Sequence, residues 1–243
     1  LSLRTIGGQS YIQGDTLDSQ WTVQIHKLTD SEGRKFLLFE TRSNDSTDGL
    51  EELFVQFAKV RHYHVSPLIA WQKVPNGYEW LLAEPAGQNL EELLVSGPLS
   101  PSLVESFMDQ ALTLYGAFET HQWFPQNFHP RNLWLDGSEM MFVEELEYRI
   151  ESDPRLWMST DREIPMPYLS PEEIQNTSKP DWASLEFRIG VLAYHMLTGQ
   201  HPFGSGVQGI INVLTGKPEP MSEELLLRHR PLCQRILKLL RVA

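Results

Sequence analysis

Residues 127–136 read Asn127-Phe128-His129-Pro130-Arg131-Asn132-Leu133-Trp134-Leu135-Asp136, a polar turn carrying a proline and an asparagine two residues apart, followed at once by a short apolar run. Two further strings stand downstream of it. One is Tyr168-Leu-Ser-Pro-Glu172, and the other runs from Gly190 through Leu197-Thr-Gly-Gln-His-Pro-Phe203. The turn itself is preceded by Pro125 and Gln126 and holds no acid before Asp136. Asn127 has nearly the shape of an aspartate but none of its charge, so it cannot take up a proton from a hydroxyl group.

Working outward, the chain of 243 residues and 28.0 kDa is long enough to bury a full core, as one large domain or two small halves. Its 41% hydrophobic and 10% aromatic content is that of a globular protein. The net charge of −12 argues against a nucleic-acid binder, which needs a basic face. The single cysteine, Cys233, excludes an internal disulfide and a cysteine-built metal site, which fits a reducing cytoplasm. There is neither a run of 18 apolar residues nor a secretory signal, so the expectation is a chain that does not insert into a membrane. The start at Leu1 suggests a domain cut from a longer protein, the cytosolic part of it.

The first 80 residues favour strands. Trp21–Ile25 alternates, Phe36–Phe39 is an apolar run after the turn Asp30–Gly33, and Leu68–Trp71 and Tyr78–Leu82 flank the turn Pro75–Gly77. Between them Leu50, Leu53, Phe54 and Phe57 give a helix over about 49–60. Glu84–Gly87 breaks the pattern. Beyond it the chain turns helical, at 90–95 and then at 101–121, where Ser100 and Pro101 are a start signal. The fold class is therefore α+β, with a β-rich part over 1–86 and a helical part over 87–243.

The three strings, in this order and spacing, resemble the catalytic loop, the end of the activation segment and the F helix of the protein kinases, in the form common among bacterial Ser/Thr kinases. The resemblance covers about residues 10 to 240. It implies a bilobal protein-kinase-like fold, with a small β-rich N-lobe and a larger helical C-lobe cut short at its end. Pro171, Glu172, Gly190, Pro202 and Phe203 carry the structural part of the match.

The catalytic part is degenerate throughout. His-Arg-Asp of the family is replaced by Pro125-Gln126-Asn127. The Gly-rich loop that covers ATP phosphates corresponds to Gln13–Gln20, with one glycine and two acids, and reads as an ordinary acidic hairpin. The phosphate-gripping lysine falls on Phe39, or with a shift of one on Glu40. Its partner glutamate falls on Leu53, with Glu52 pointing off that face; Leu53 and Phe39 are expected to pack together. The metal-binding Asp-Phe-Gly falls on Val143-Glu144-Glu145, whose carboxylates are expected at the surface or in a turn. The aspartate that braces the loop from the F helix falls on Leu185. His129 stands where the family has a lysine that steadies the phosphate. Glu172 lacks the arginine that the family supplies late in the C-lobe; by spacing it would lie past Ala243.

The remaining candidates read as structure. His62, His64, His121 and His129 have no cysteine or carboxylate at ligand spacing, so no metal site is expected. Trp71, Trp80, Trp123 and Trp134 read as core. The expectation is a pseudokinase without phosphoryl transfer, ATP or other cofactor, which serves in the cytoplasm as a scaffold or regulator binding a protein partner and no nucleic acid. The alternative is an atypical nucleotide-binding or weakly active kinase, using Lys35 for phosphate and Glu144 with Asn132 for metal.

Overall fold

Gly7 and Gly8, at φ 58° and 81°, supply the two left-handed positions of a tight hairpin between β1 (Ser2–Ile6) and β2 (Gln9–Leu17). From there the computed structural model describes residues 2–17, 23–41, 49–125, 128–144, 146, 168–175 and 181–241. Its residues fall into two compact units. The first comprises Leu1–Ala86, Pro125–Asn127 and Met141–Glu163, and the second Gly87–Phe124, Phe128–Met140 and Ile164–Ala243.

The first unit is built on a six-stranded antiparallel sheet of order β1-β2-β3-β4-β6-β5, where β3 is Val23–Thr29, β4 Lys35–Thr41, β5 Leu68–Val74 and β6 Gly77–Ala83. Asp30 shapes the β3–β4 turn: its carboxylate accepts the N–H groups of Glu32 and Arg34 and pairs with the Arg34 guanidinium at 2.7 Å. The sheet curls until its edge strands meet. The Gln72 side-chain amide on β5 accepts the Gly7 N–H at 3.4 Å and donates to the Thr5 carbonyl at 3.1 Å. Inside the curl Ile6, Tyr11, Leu28, Phe36, Leu38 and Leu81 form a closed apolar cluster. Leu37 and Phe39 alternate with Phe36 and Leu38 along β4, and all four are buried. Both faces of β4 are therefore core, which explains why its sequence is a continuous apolar run. Helix α1 (Leu50–Phe57) buries Leu50, Phe54 and Phe57.

In the second unit, Asn89 caps α2 (Leu90–Val95) and Ser100 caps α3 (Pro101–Thr120), its hydroxyl accepting the Leu103 N–H at 3.3 Å. Helix α3 buries Val104, Phe107, Met108, Ala111, Leu114 and Phe118, one stripe at helical spacing. Each of these except Ala111 contributes about 1.5–3 kcal/mol of burial. A small sheet holds β7 (Gln88–Asn89), β8 (Leu133–Asp136) and β9 (Glu139–Phe142), of which β9 runs on into the first unit. Helices α4 (Pro171–Gln175), α5 (Trp182–Thr198), α6 (Gly206–Leu214), α7 (Glu223–Arg228) and α8 (Arg230–Leu239) complete it. Gly190 lets α5 approach α8: a Cβ there would lie 2.8 Å from the Leu239 Cβ and 3.1 Å from its carbonyl carbon.

Candidate functional site

In the first unit Phe39 sits opposite Ile25 of β3 and Trp80 of β6. It is 1% exposed and stacks on Trp80, with centroids 5.5 Å apart and planes 7° from parallel. Trp80 in turn meets Phe54 of α1 at 5.5 Å, and Phe54 packs on Trp71 at 5.1 Å and Tyr78 at 5.8 Å. Trp80 is thus the ring against which Phe39 packs. Leu53 is half-buried on α1. Its neighbour Glu52 is exposed and bonded to Gln56, while Glu51 accepts the Tyr78 hydroxyl at 2.6 Å. The space between sheet and helix is filled by rings, each pair adding about 0.5–1.5 kcal/mol beyond its buried area.

Among the described residues three lysines lie on the Phe39 face of the sheet, one of them Lys73 of β5, whose Nζ stands 5.7 Å from the centroid of the Tyr78 ring. Lys27 is committed to Glu84, Nζ to Oε1 3.1 Å, and that carboxylate is only 8% exposed. Lys35 is exposed at the first residue of β4. Four residues of strand separate it from Phe39, about 13 Å at 3.3 Å per residue, which is beyond the reach of a lysine side chain.

Glu144 was expected at the surface or in a turn, and it is not there. It is fully buried, at 0% exposure. The reason is the packing of the segment that carries it. Phe142 and Val143 are core residues, Phe142 donates its N–H to the His64 carbonyl and accepts the Ser66 N–H, both at 2.8 Å, and Leu146 is buried at φ 49°. Glu145 and Asn127 lie outside the described residues.

In the second unit, Pro130–Asn132 forms a single 3-10 turn. His129 caps it, Nδ1 accepting the Arg131 N–H at 3.3 Å, and Asn89 donates to the Arg131 carbonyl at 2.5 Å. Asn132 closes the turn, 1% exposed, with its N–H on the His129 carbonyl. Gly87 is pressed against β8: at φ 86°, a Cβ would stand 2.0 Å from the Leu135 carbonyl oxygen. The His129 and Tyr168 rings stand edge to face with centroids 4.7 Å apart, and the Tyr168 hydroxyl bonds His195 Nδ1 at 2.9 Å. Burial, and then the charges of Arg131 and Arg188, push the His129 imidazole down to about 3, so it is neutral at physiological pH.

The Ser-Pro-Glu string is tied down twice. Ser170 donates its hydroxyl to that of Ser184 at 3.0 Å and its N–H to Glu173 Oε2 at 3.0 Å. Glu173 forms a buried ion pair with Arg188 of α5, the side chains 4% and 3% exposed. Pro171 opens α4, and the next residue, Glu172, pairs with Arg241. The arginine for Glu172 therefore lies inside the chain, not past Ala243, because α8 brings residue 241 back beside α4. Hydrogen bonds from its own N–H and from Ser170, together with Arg241, outweigh burial and hold the Glu172 carboxyl below its ordinary range. Leu185 is buried at 1%, and Asp181 instead caps α5, accepting the Ser184 N–H at 2.9 Å. Phe203 stacks on Phe187 at 5.7 Å, and the buried Pro202 accepts the Glu219 N–H at 2.6 Å.

No family model and no curated protein matches the chain. Among solved structures it is similar to that of Rad53 1-466 in complex with AMP-PNP, with a TM-score of 0.74 at 17% identity over 96% of this chain and 61% of that one. The fold is protein-kinase-like.

At that identity the likeness is one of fold. Phe39 lies on β4 and Leu53 on α1, and neither side chain carries a charge. Asn132 falls in the second unit and Glu144 in the first. Among the described residues no group of three or more His, Cys, Asp and Glu is placed to hold a metal ion, and no helix is long and apolar enough to cross a membrane. Three histidine rings pack around Tyr168 in the second unit, His129 at 4.7 Å, His201 at 5.5 Å and His195 at 6.4 Å. What sequence reading missed is the Glu173–Arg188 pair. Its signal is the doubled acid, Glu172-Glu173, facing an arginine two residues before Gly190.

Proposed function

We propose that this is a pseudokinase: a kinase-like domain, closest in its motifs to bacterial Ser/Thr kinases, that does not transfer phosphate or bind ATP and acts in the cytoplasm as a scaffold or regulator for a protein partner. One observation carries the inactive reading. At the lysine place of β4 stands Phe39, buried and stacked on Trp80, with Lys27 engaged by Glu84 and Lys35 about 13 Å away along the strand. A triphosphate bound there would find an apolar ring, not an ammonium, at residue 39 to meet its charge. His129 adds to this, since a neutral imidazole cannot take over the work of a lysine. The partner role follows from fold analogy, because a kinase-like fold that has lost its chemistry still presents its surfaces. A single cysteine, fully buried, suits a reducing compartment.

The test is a thermal-shift and calorimetric titration with ATP, with and without Mg²⁺ or Mn²⁺. A ligand at a hundred times its dissociation constant stabilises its protein by about 2.7 kcal/mol. For a chain of this size that is a rise in Tm of about 5–10 °C. No shift up to millimolar nucleotide is the expected result. A metal-dependent rise that Lys35→Ala abolishes would establish the atypical-kinase reading in its place.

A further inference from the structure

Helices α3 and α5 of the second unit each present an aromatic residue and, one turn later, an acid. On α3 these are Tyr115 and Glu119, on α5 Trp182 and Glu186, both at the i, i+4 spacing that places side chains on one face. The two rings meet across the contact of these helices, with centroids 5.0 Å apart and planes at 83°. Phe124 joins them from the segment after α3, 5.5 Å from Trp182 and inclined to it by 56°. All three rings are half-buried, so each keeps part of its surface in water.

Three carboxylates surround the rings. Glu119 is exposed and Glu186 half-buried, and among the described residues neither side chain has a hydrogen bond or an ion pair. Asp181, just before Trp182, is exposed as well; it caps α5 by accepting the Ser184 N–H but has no cation beside it among the described residues. All three charges bear on Tyr115: burial first, then Glu119, Glu186 and Asp181, raise its phenol above the ordinary value. Arg188 approaches Phe124, Cζ to ring centroid 6.0 Å, but its side chain is 3% exposed and committed to Glu173. The chain thus leaves aromatic surface and uncompensated negative charge side by side.

We propose that this aromatic corner is a docking site for an arginine side chain on a segment of a partner protein. Its chemistry selects the occupant. Ring faces attract a cation through their quadrupoles. A planar guanidinium lies flat on a ring while its N–H edges donate to carboxylates. Glu119 and Glu186 stand on different helices beside the same rings, which suits a fork of donors. An ammonium is a compact, more strongly hydrated charge with no flat face to stack. An acidic segment would be repelled by the three carboxylates, and an apolar one would leave them without a counter-charge. The proposal deepens the partner role proposed above and rests on that reading.

The probe is a blocked pentapeptide with one arginine between glycines, titrated into the full chain to millimolar concentration and followed by NMR. Expected is saturable binding with shifts centred on Tyr115, Glu119, Trp182 and Glu186. Citrulline in place of the arginine, alike in shape but uncharged, should weaken binding by about tenfold or more. Glu119→Gln/Glu186→Gln should weaken it by about fivefold or more and flatten its salt dependence. Glu92→Gln/Glu223→Gln removes two exposed charges elsewhere in the unit and should leave affinity within about twofold. Trp182→Leu should lose affinity by about fivefold; should it fail to fold, the carboxylate variants decide alone. No binding at millimolar peptide, equal binding of the citrulline peptide, or equal weakening by the two double variants overturns the proposal. ATP added to the same samples keeps the two readings apart. A nucleotide-induced shift would end the pseudokinase reading and leave the arginine site standing, and a failure of peptide binding alone would do the reverse.

Discussion

Replacing Glu173 by alanine should destabilise this protein several times more than replacing its neighbour Glu172, although Glu172 is the residue that the Ser-Pro-Glu string singles out. Glu173 and Arg188 are 4% and 3% exposed, so removing one partner strands a charge in the interior, at a cost of about 3–5 kcal/mol. The Ser170 N–H would lose its acceptor as well. Glu172 and Arg241 are 33% and 36% exposed, and a solvent-screened pair of that kind contributes about 0.2–1 kcal/mol. At about 2–4 °C per kcal/mol for a chain of this size, Glu173→Ala should lower Tm by about 6–20 °C and Glu172→Ala by at most about 4 °C. Calorimetry and urea denaturation measure both. The double variant Glu173→Gln/Arg188→Met removes both charges and should recover much of the loss of Glu173→Ala. Equal losses for the two single variants, or a larger one for Glu172→Ala, would refute the assignment of the buried pair as the principal tie between α4 and α5.

Gly87→Ala should be among the most damaging small substitutions: it combines about 1–2 kcal/mol for a left-handed residue with a Cβ 2.0 Å from the Leu135 carbonyl oxygen, and reduced Tm and soluble yield will report it. Phe39→Lys should cost about 3–5 kcal/mol, by loss of the stack on Trp80 and burial of an ammonium, without conferring ATP binding in calorimetry, because Leu53 offers the new cation no carboxylate. Acidification should weaken the fold before any carboxylate titrates. His129 takes its proton near 6.5 when unfolded and at about 3 when folded, so its contribution is present above pH 6.5 and falls by up to about 1.4 kcal/mol per unit as pH drops from 6.5 toward 3. His129→Asn should reduce the proton uptake on unfolding near pH 5.5 by about one, measured from the pH dependence of urea denaturation.

Much of the fold was legible because its signals are local. Ser100-Pro101 fixed the start of α3, the apolar spacing of Leu50, Phe54 and Phe57 gave α1, and the run Phe36–Phe39 gave β4, though helix 49–60 proved three residues shorter at its C-terminal end. The first strand was missed although Gly7-Gly8 announces its hairpin, since Leu3 and Thr5 alternate too weakly to read as a strand without the turn. Residues whose place depends on tertiary packing were hardest to read. Glu144 looks like a turn acid until Phe142 and Val143 draw it inward. Arg241 becomes the partner of Glu172 only through the direction of α8. The change of residue type at Phe39 was readable from sequence, but that Trp80 fills the space beside it was not.

The meeting of β1 and β5 has a consequence for how other chains can approach. A sheet with a bare outer strand offers a row of backbone donors and acceptors that any extended segment can extend, whatever its side chains. Here Gln72 on the last strand of the six occupies the Gly7 N–H and the Thr5 carbonyl at the end of the first, so at that point an added strand would have to displace a side chain already bonded to the backbone. Strand addition there is opposed by one glutamine, and substituting it is what would make that corner of the sheet permissive.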